Sequence, residues 1–353
     1  MKQTSFLTVV FFLMSLLSSC TSYRTIEIET YNSASITFPP EVKTVMIVNN
    51  SAQQPDGTGH RYIHDGKDDS TMFVSVDSAA CNFCLQLGKH IAASPVFYDV
   101  RLCNDTLRRD SVFYEKKPFS ADEVQAFCED YEVDALISLE NFVFFTEIRE
   151  NRAGNYSFEL SIRMNLSGEV RAMWPGQKET YAFPFSDSLK LYWPVDFYLN
   201  PYEETISVSD LKSVMRHLSD VIAGKMYVNF VPHWSYDNRW YYTSIASEWK
   251  RGAAHAASGK WDEAADIWGK LLSKVKDRKS QARLLSNMAL CNEIIGDFGK
   301  ATDYAEKSYR LFDEYAGEDD AYTKLQEMYL GILKERAEKD GILSEQLREK
   351  INN

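Results

Sequence analysis

The last third of the chain contains an internal repeat, and this repeat restricts what the region can fold into. The segment GKWDEA at residues 259–264 recurs as GDFGKA at residues 296–301, which gives a period of 37 residues. In both copies a glycine suited to end one helix stands just before an amphipathic stretch that begins the next. A repeat of this length predicts stacked helical hairpins, because each unit must bury its apolar face against a neighbour.

The repeat resembles the turn and second-helix start of a tetratricopeptide repeat, whose basic unit is about 34 residues. The small residue that close helix contact needs is Gly252 in the first copy and Ala289 in the second. Trp268 fills a large apolar position in the first copy, where the second has only Ala305, so the second copy is degenerate.

About three hairpins are needed for independent stability. We therefore expect a third helix pair over residues 321–337 and a closing polar cap over residues 344–351. A generic helical bundle is the alternative interpretation of the same periodicity.

The region before the repeats alternates between strand-like and helix-like segments. Apolar runs predict strands over residues 45–48, 96–102 and 134–139. Helices are predicted over residues 78–93, with Asp77 as N-cap, and from Ser120, where Glu123 completes a capping box. Strands that are separated by helices are expected to pair in parallel.

Alternating residues further along predict a meander that completes the sheet. Its strands cover residues 156–166, 170–174 and 179–185, with a turn at Gly168-Glu169. An amphipathic helix over residues 209–227 closes it. The predicted fold is a mixed α/β sheet domain over residues 43–232, followed by an α-helical tetratricopeptide-repeat domain over residues 233–353.

Two resemblances follow from these motifs. The first rests on the order of four segments: a helix, VDALI at 133–137, a long strand, and LSGEV at 166–170. This order resembles that of small periplasmic α/β domains in envelope-assembly lipoproteins of the curli-secretion and penicillin-binding-protein-activator type. With ITFPPEVK at 36–43 and the C-terminal repeats, the whole chain resembles a family of Bacteroidetes lipoproteins. This second resemblance implies an envelope location and no particular activity.

The N-terminal segment is typical of a secretion signal. Lys2 precedes an apolar run over residues 6–17 that is too short to span a bilayer. The run ends in LSSC, which resembles a bacterial lipobox, so we expect a signal peptide over residues 1–19, lipidation of Cys20, and a lipidated tether over residues 20–42. An ordinary signal-peptidase site beside a chance cysteine is the alternative. No Asp follows Cys20, which favours an outer-membrane anchor facing the periplasm.

The charge balance argues against one class of partner. The chain has 39 Lys and Arg against 51 Asp and Glu, a net charge of -12 without a long basic run. Phosphate backbones would be repelled, so we expect no nucleic-acid partner.

Five cysteines follow Cys20, an odd number that argues against a disulfide framework. Cys81 and Cys84 share one face of a predicted helix. They fit redox chemistry, a structural disulfide or plain core packing, and core packing is the expectation.

No catalytic residue, metal or cofactor is predicted. His60, His64, Asp65, Asp68 and Asp69 are zinc-type ligands, but they lie in a polar run over residues 49–70 that we expect to be a solvated loop. Neither a glycine-rich phosphate loop nor a nucleophile elbow is found, so we expect no enzyme.

Asp followed by Ser or Thr and then by an apolar residue or Thr occurs more often than chance predicts. The pattern is similar to the O-glycosylation acceptor of periplasmic proteins in Bacteroides-like bacteria. Ser70, Thr106 and Ser111 are the candidate sites, because they lie in loop-like stretches. Helix capping and turn formation by Asp-Ser are the alternative interpretation.

Aromatic residues are dense over residues 181–242 and predict either a buried joint between the two parts or an exposed glycan-binding surface. The predicted function is a non-enzymatic, lipid-anchored periplasmic scaffold that binds a protein or peptide partner in the repeat groove. A glycan-binding outer-membrane lipoprotein is the alternative, and a thiol oxidoreductase is a more remote one. Oligomeric state does not follow from the sequence.

Overall fold

The computed structural model describes residues 23–348, apart from residues 65, 104, 106, 109, 111, 153–156 and 197–207. The chain divides into two compact units. One, here called the α/β unit, comprises Ser33–His233 and the residues from Leu343 on. The other, the helical unit, comprises the residues up to Asn32 and Trp234–Ile342.

The described strands are β1 Tyr23–Asn32, β2 Thr44–Asn49, β3 His60–His64, β4 Lys67–Thr71, β5 Asp99–Leu102, β6 Ala135–Arg152, β7 Ser157–Met173, β8 Tyr181–Asp196 and β9 His233–Tyr242. The described helices are α1 Asp77–Ala92, α2 Ala121–Tyr131, α3 Val208–Met226, α4 Ser247–Ala257, α5 Trp261–Leu272, α6 Arg278–Ile295, α7 Phe298–Ala316 and α8 Ala321–Arg348. A short 3-10 turn, Tyr227–Asn229, follows α3. None of the helices described is long and apolar enough to cross a membrane.

The α/β unit is built on a mixed sheet. Strand β2 pairs in parallel with β5 on one side and with the first half of β6 on the other, as predicted. The second half of β6 pairs in parallel with β3, which forms an antiparallel hairpin with β4. Strand β7 runs antiparallel along β6, and β8 antiparallel along β7.

Helices cover both faces of the parallel strands, which explains why β2 is a continuous apolar run. Val45 and Ile47 belong to a core that includes side chains of α1 and α3. Met46 and Val48 point to the opposite face, where they form a second cluster with Val124 of α2. The unit is therefore a three-layer arrangement with the sheet in the middle.

The predicted capping residues have different outcomes. Ser120 and Glu123 form the predicted capping box at the start of α2. The prediction for α1 is wrong, because Asp77 is the first helical residue and the N-cap is Val76, without a side-chain cap.

The predicted turn at Gly168 is also wrong. Gly168 lies in the middle of β7, which continues without interruption. A β-carbon on Gly168 would lie 2.3 Å from the Phe185 ring and 2.4 Å from the Asn141 carbonyl oxygen. Glycine is present here because the ring of the adjacent strand covers the backbone, and not because the chain turns.

The polar run over residues 49–70 is not the predicted solvated loop, since it includes the β3–β4 hairpin. Gln54 is buried and its side chain imitates a strand partner of β6. Its Nε2 donates to the Phe144 carbonyl at 2.8 Å, and its Oε1 accepts from the Phe144 amide at 2.9 Å. This polar segment can be buried because the Gln54 side chain makes the hydrogen bonds that the backbone groups of Phe144 need.

The helical unit contains two helical hairpins, α4 with α5 and α6 with α7. The close contact predicted at Gly252 is confirmed, because a β-carbon there would lie 2.3 Å from Nε1 of the buried Trp268. The predicted third pair and separate cap are wrong, since α8 is one continuous helix over this region. The structure establishes a helical C-terminal region; its identification as tetratricopeptide repeats remains a prediction.

A two-stranded ribbon completes the helical unit. Strand β1 pairs with β9. Residues 20–42 were predicted to be a tether, but they include β1. The ring contacts of Tyr23 with Tyr242 and of Tyr31 with Trp234 show that the two strands run antiparallel.

Candidate functional sites

A cavity of about 410 Å³ lies at the carboxyl ends of the parallel strands in the α/β unit. After β2 the chain leads to α1 on one face of the sheet, and after β5 it leads to α2 on the other. When the chain leaves two neighbouring parallel strands toward opposite faces of the sheet, a crevice forms between the carboxyl ends of the strands. Ligands of open α/β sheets usually bind in this crevice. This cavity is therefore a candidate small-molecule site.

Polar, acidic and thiol groups line the cavity, among them Asn49 at the end of β2, Asp105 after β5 and Asp77 at the start of α1. Burial raises the pKa of Asp77, and the nearby Asp56 raises it further. Arg108 contributes a cation, but its guanidinium is already held by Asp110 at 2.8 Å. The excess of carboxyl groups suits a neutral or cationic molecule better than an anion.

Three thiols also line this cavity, those of Cys81, Cys84 and Cys103. Cys84 is buried, and burial raises its pKa strongly, which disfavours the reactive thiolate. Burial likewise raises the pKa of Cys103. The expectation that both thiols of the pair are core residues is wrong for Cys81, which is exposed. The five described cysteines are free thiols.

The surface of α6 in the helical unit is covered by β9. The side-chain amide of Asn287 accepts from the Tyr242 backbone amide at 2.6 Å and donates to the Tyr242 carbonyl at 2.8 Å. An asparagine side chain can bind the backbone of a peptide ligand through the same two hydrogen bonds. The surface of α6 around Asn287 is thus occupied by a strand of the same chain.

A buried ion pair fixes the same strand to α6. Arg239 of β9 and Glu293 of α6 are both buried, and Nη2 of Arg239 lies 2.9 Å from Oε1 of Glu293. Tyr329 donates to Glu293 at 2.7 Å, and Arg336 also contacts this carboxylate. Burial alone would lower the pKa of Arg239, but its hydrogen bonds to Glu293 raise it above its ordinary value. The ribbon is therefore a fixed part of the helical unit.

The outer face of the ribbon presents aromatic and acidic side chains. Trp234 is 63% exposed and Tyr236 is 66% exposed, although both are large rings. The Tyr31 ring lies 4.8 Å from that of Trp234. Glu29 accepts a hydrogen bond from Tyr236, which raises the pKa of the phenol, and Glu27 lies on the same face. We call Glu27, Glu29, Tyr31, Trp234 and Tyr236 the ribbon face.

The predicted aromatic segment therefore divides between two environments. Trp240, Tyr241 and Tyr242 are buried in the core of the helical unit, where the Trp240 ring lies 5.2 Å from that of Tyr329. Trp234 and Tyr236 belong to the exposed ribbon face.

The two histidines among the zinc-type residues lie far apart. His60 is fully buried in β3, and burial lowers its pKa, so it is held neutral. His64 lies at the other end of the strand, about 13 Å away at the usual rise per residue, with Nδ1 3.5 Å from Glu150. Asp65 lies outside the described residues, as do the side chains of Asp68 and Asp69. Among the residues described, no group of three or more His, Cys, Asp or Glu is placed to hold a metal.

The predicted modification sites are only partly within the described residues. Ser70 is exposed in β4, and its glycosylation stays a prediction. Cys20, Thr106 and Ser111 lie outside the part of the chain that the structure describes.

Sequence reasoning missed Asn287 and Glu293. Their signal was weak, because the helix segment LLSNMALCNEII over residues 284–295 also contains the polar Ser286 and Asn292. Their partners on β9 could not be identified without the fold.

An α/β sheet unit joined to a helical unit is thus the class of protein that the structure defines. A family model described as "Domain of unknown function (DUF8603)" matches residues 42–242, more than half of the chain, and the chain belongs to this family. A second model, "Domain of unknown function (DUF6340)", matches residues 250–335.

Comparison with curated proteins finds no match. The solved structures that match include a minor lipoprotein from Acinetobacter baumannii, at 12% identity and a TM-score of 0.25. That alignment covers 55% of this chain and 97% of the other. At this TM-score the likeness supports no inference about fold or function.

Proposed function

We propose that this protein is a non-enzymatic, lipid-anchored module of the bacterial outer membrane that faces the periplasm and binds a protein or peptide partner through its helical unit. The lipobox-like LSSC supports the anchor at Cys20. The helical hairpins support a binding role, because stacked hairpins offer extended faces to partners.

The ribbon face is the observation that carries the binding proposal. Other rings, such as Tyr98, are as exposed, but Trp234 and Tyr236 lie together with Tyr31 on one face. Exposed apolar side chains that are grouped mark interaction sites, and at interfaces Trp and Tyr supply much of the binding energy. The adjacent Glu27 and Glu29 give the face a negative charge, which favours a partner segment with Lys or Arg. Because β9 already covers α6, we place the partner on the ribbon face and not on α6.

Site-specific photocrosslinking in living cells tests the binding proposal. A benzophenone amino acid at Tyr236 is expected to yield a discrete crosslinked partner, identified by mass spectrometry. The same group at Tyr98, 91% exposed in the α/β unit, is the matched control. The proposal is contradicted if both positions give the same crosslinks or if Tyr236 gives none.

The anchor has a separate test. Cys20→Ala is expected to move the protein from the membrane fraction to the soluble fraction, because the lipid chains are its attachment. The matched control is Cys81→Ala, which removes an exposed thiol and is expected to leave fractionation unchanged. Retention of the Cys20 variant in washed membranes would contradict lipidation.

Glycan binding is the second candidate, and it is favoured by the same two exposed rings with a carboxylate beside them. Sugar rings stack on aromatic faces, and carboxylates accept hydrogen bonds from hydroxyls. Binding of soluble oligosaccharides that Trp234→Ala abolishes, with no protein crosslink at Tyr236, would establish this candidate instead.

A further inference from the structure

The outer face of the α/β sheet carries a cluster of cations that the proposed function does not use. Strand alternation places Ile162 and Met164 in the core and leaves Ser161 and Arg163 on the outer face of β7. The pairing register puts Arg163 directly between Glu147 of β6 and Lys190 of β8. In the next row, Ser161 lies between Arg149 of β6 and Tyr192 of β8.

Charge in this cluster is only partly balanced. Glu147 accepts from Nε of Arg149 at 2.7 Å, whereas Nη1 of Arg163 lies 3.9 Å from the same carboxylate. The hydrogen bond from Arg149 holds the pKa of Glu147 below its ordinary value, so the carboxylate is ionised. Nζ of Lys190 lies 4.6 Å from the centre of the Tyr192 ring. Arg61 of β3, which pairs with Glu147 from the other side, also acts on this carboxylate. Arg149, Arg163 and Lys190 line the cavity described next, together with one described carboxylate.

A cavity of about 230 Å³ lies within the cluster. Besides the three cations and Glu147, it is lined by Asn151, Ser161 and Tyr192, which all have a hydrogen-bond donor. Six of the seven lining side chains can therefore donate, and only Glu147 is limited to accepting.

We propose that this cavity is an anion site, and that its ligand is the phosphate group of a small soluble molecule. Two guanidinium groups and an ammonium group, with neutral donors beside them, match the oxygens of a phosphate. The placement is notable in a chain whose net charge is -12, because three cations and one acidic residue are the charged groups among the described side chains that line the cavity. The small volume fits a single phosphate with a short substituent better than a polymer.

Calorimetric titration of the full chain with inorganic phosphate, at low ionic strength and against acetate of equal ionic strength, tests the proposal. We expect saturable phosphate binding and none with acetate. Arg163→Ala and Lys190→Ala are each expected to weaken binding on the order of tenfold, the loss of a charge-assisted hydrogen bond. Lys178→Ala, an exposed cation in the same unit, is the matched control and should bind as the parent does.

Glu147→Gln supplies a readout that misfolding cannot imitate, because removal of this negative charge from the cavity lining should tighten phosphate binding about threefold. Vesicles of phosphatidylglycerol and of phosphatidylcholine separate the sources of the phosphate. The proposal is overturned if phosphate does not bind, if Lys178→Ala weakens it as much as Arg163→Ala, or if only phosphatidylglycerol vesicles bind.

Discussion

Two helical glycines of the helical unit have opposite roles. Gly252 faces the indole of Trp268, which is fully buried and cannot withdraw. Gly331 lies within α8, where a β-carbon would meet open space. Apart from the nearby backbone of the same helix, no heavy atom lies within 4 Å of that position. In the sequence both glycines are equally weak helix formers, and only their packing environments distinguish their roles.

We predict that Gly252→Ala destabilises the protein by about 1–3 kcal/mol through overpacking. Gly331→Ala should be neutral or stabilise it by up to about 1 kcal/mol, because alanine favours the helix. Urea unfolding followed by circular dichroism measures both. Equal effects of the two substitutions would show that the contact with Trp268 is not tight.

Asp134 gives stability a pH dependence. Its Oδ2 accepts from the amides of Lys43 at 2.9 Å and Thr44 at 2.7 Å, and from the Thr44 hydroxyl. Burial raises the pKa of Asp134, but these bonds outweigh burial and leave the pKa below its ordinary value. A carboxyl group with a lowered pKa stabilises the fold above its unfolded-state pKa, and this stability is lost as the pH falls through the folded value.

We therefore predict that Asp134→Asn is less stable than the parent at pH 7, and that its stability changes less between about pH 5 and pH 3. Unfolding free energies at several pH values check this, with the exposed Asp130→Asn as control. A parent and an Asp134 variant with parallel pH curves would refute the assignment.

At the scale of elements, the sequence predicted what periodicity alone determines. Strand β2, the capped α2 and the amphipathic α3 follow from local pattern, and they form as predicted. The hairpin of β3 and β4 was missed because its partner is the distant second half of β6, and because polar Gln54 supplies part of the pairing. Gly168 was misread because the ring that covers it comes from another strand.

Helix α6 is held to β9 by the buried ion pair of Arg239 and Glu293. Glu293→Gln keeps the shape of the side chain but leaves the buried Arg239 with only the more distant, partly exposed Asp237, 3.8 Å from Nη2, as a described counter-charge. We expect a loss of about 3–5 kcal/mol, the usual cost of breaking a buried pair on one side. Glu314→Gln, which breaks an exposed pair with Arg278, should cost less than about 1 kcal/mol. Thermal unfolding distinguishes these outcomes, and similar costs would mean that the buried pair does not fix the strand.

The candidate sites were less predictable than the elements. The thiols at the 410 Å³ cavity were identified as a pair, but Cys103 joins them only through the parallel pairing of β2 with β5. The cation cluster was invisible in the sequence because Glu147, Arg163 and Lys190 come from three strands. A site assembled across a sheet depends on register, which no local pattern gives.

Over the whole molecule, neither unit is continuous in sequence. The helical unit takes β1 and β9 from before its first helix, so its boundary cannot be set at the repeats. We predict that a fragment starting at Thr243 loses helicity and unfolds at a lower temperature than the full chain, because it lacks the core side chains Trp240 and Tyr242. Full helicity and an unchanged midpoint would contradict the role of the ribbon.

The pairing of β1 with β9 has a consequence for the order in which the protein is made. Residue 32 leaves the ribosome long before residue 233, and at about 5–20 residues per second the interval is roughly 10–40 s. During that time β1 is a strand without its partner, with alternating exposed backbone groups that invite pairing with other chains. The ribbon therefore cannot form until residues 33–233 have been synthesised, and we expect β1 to need the protection of a chaperone during that interval.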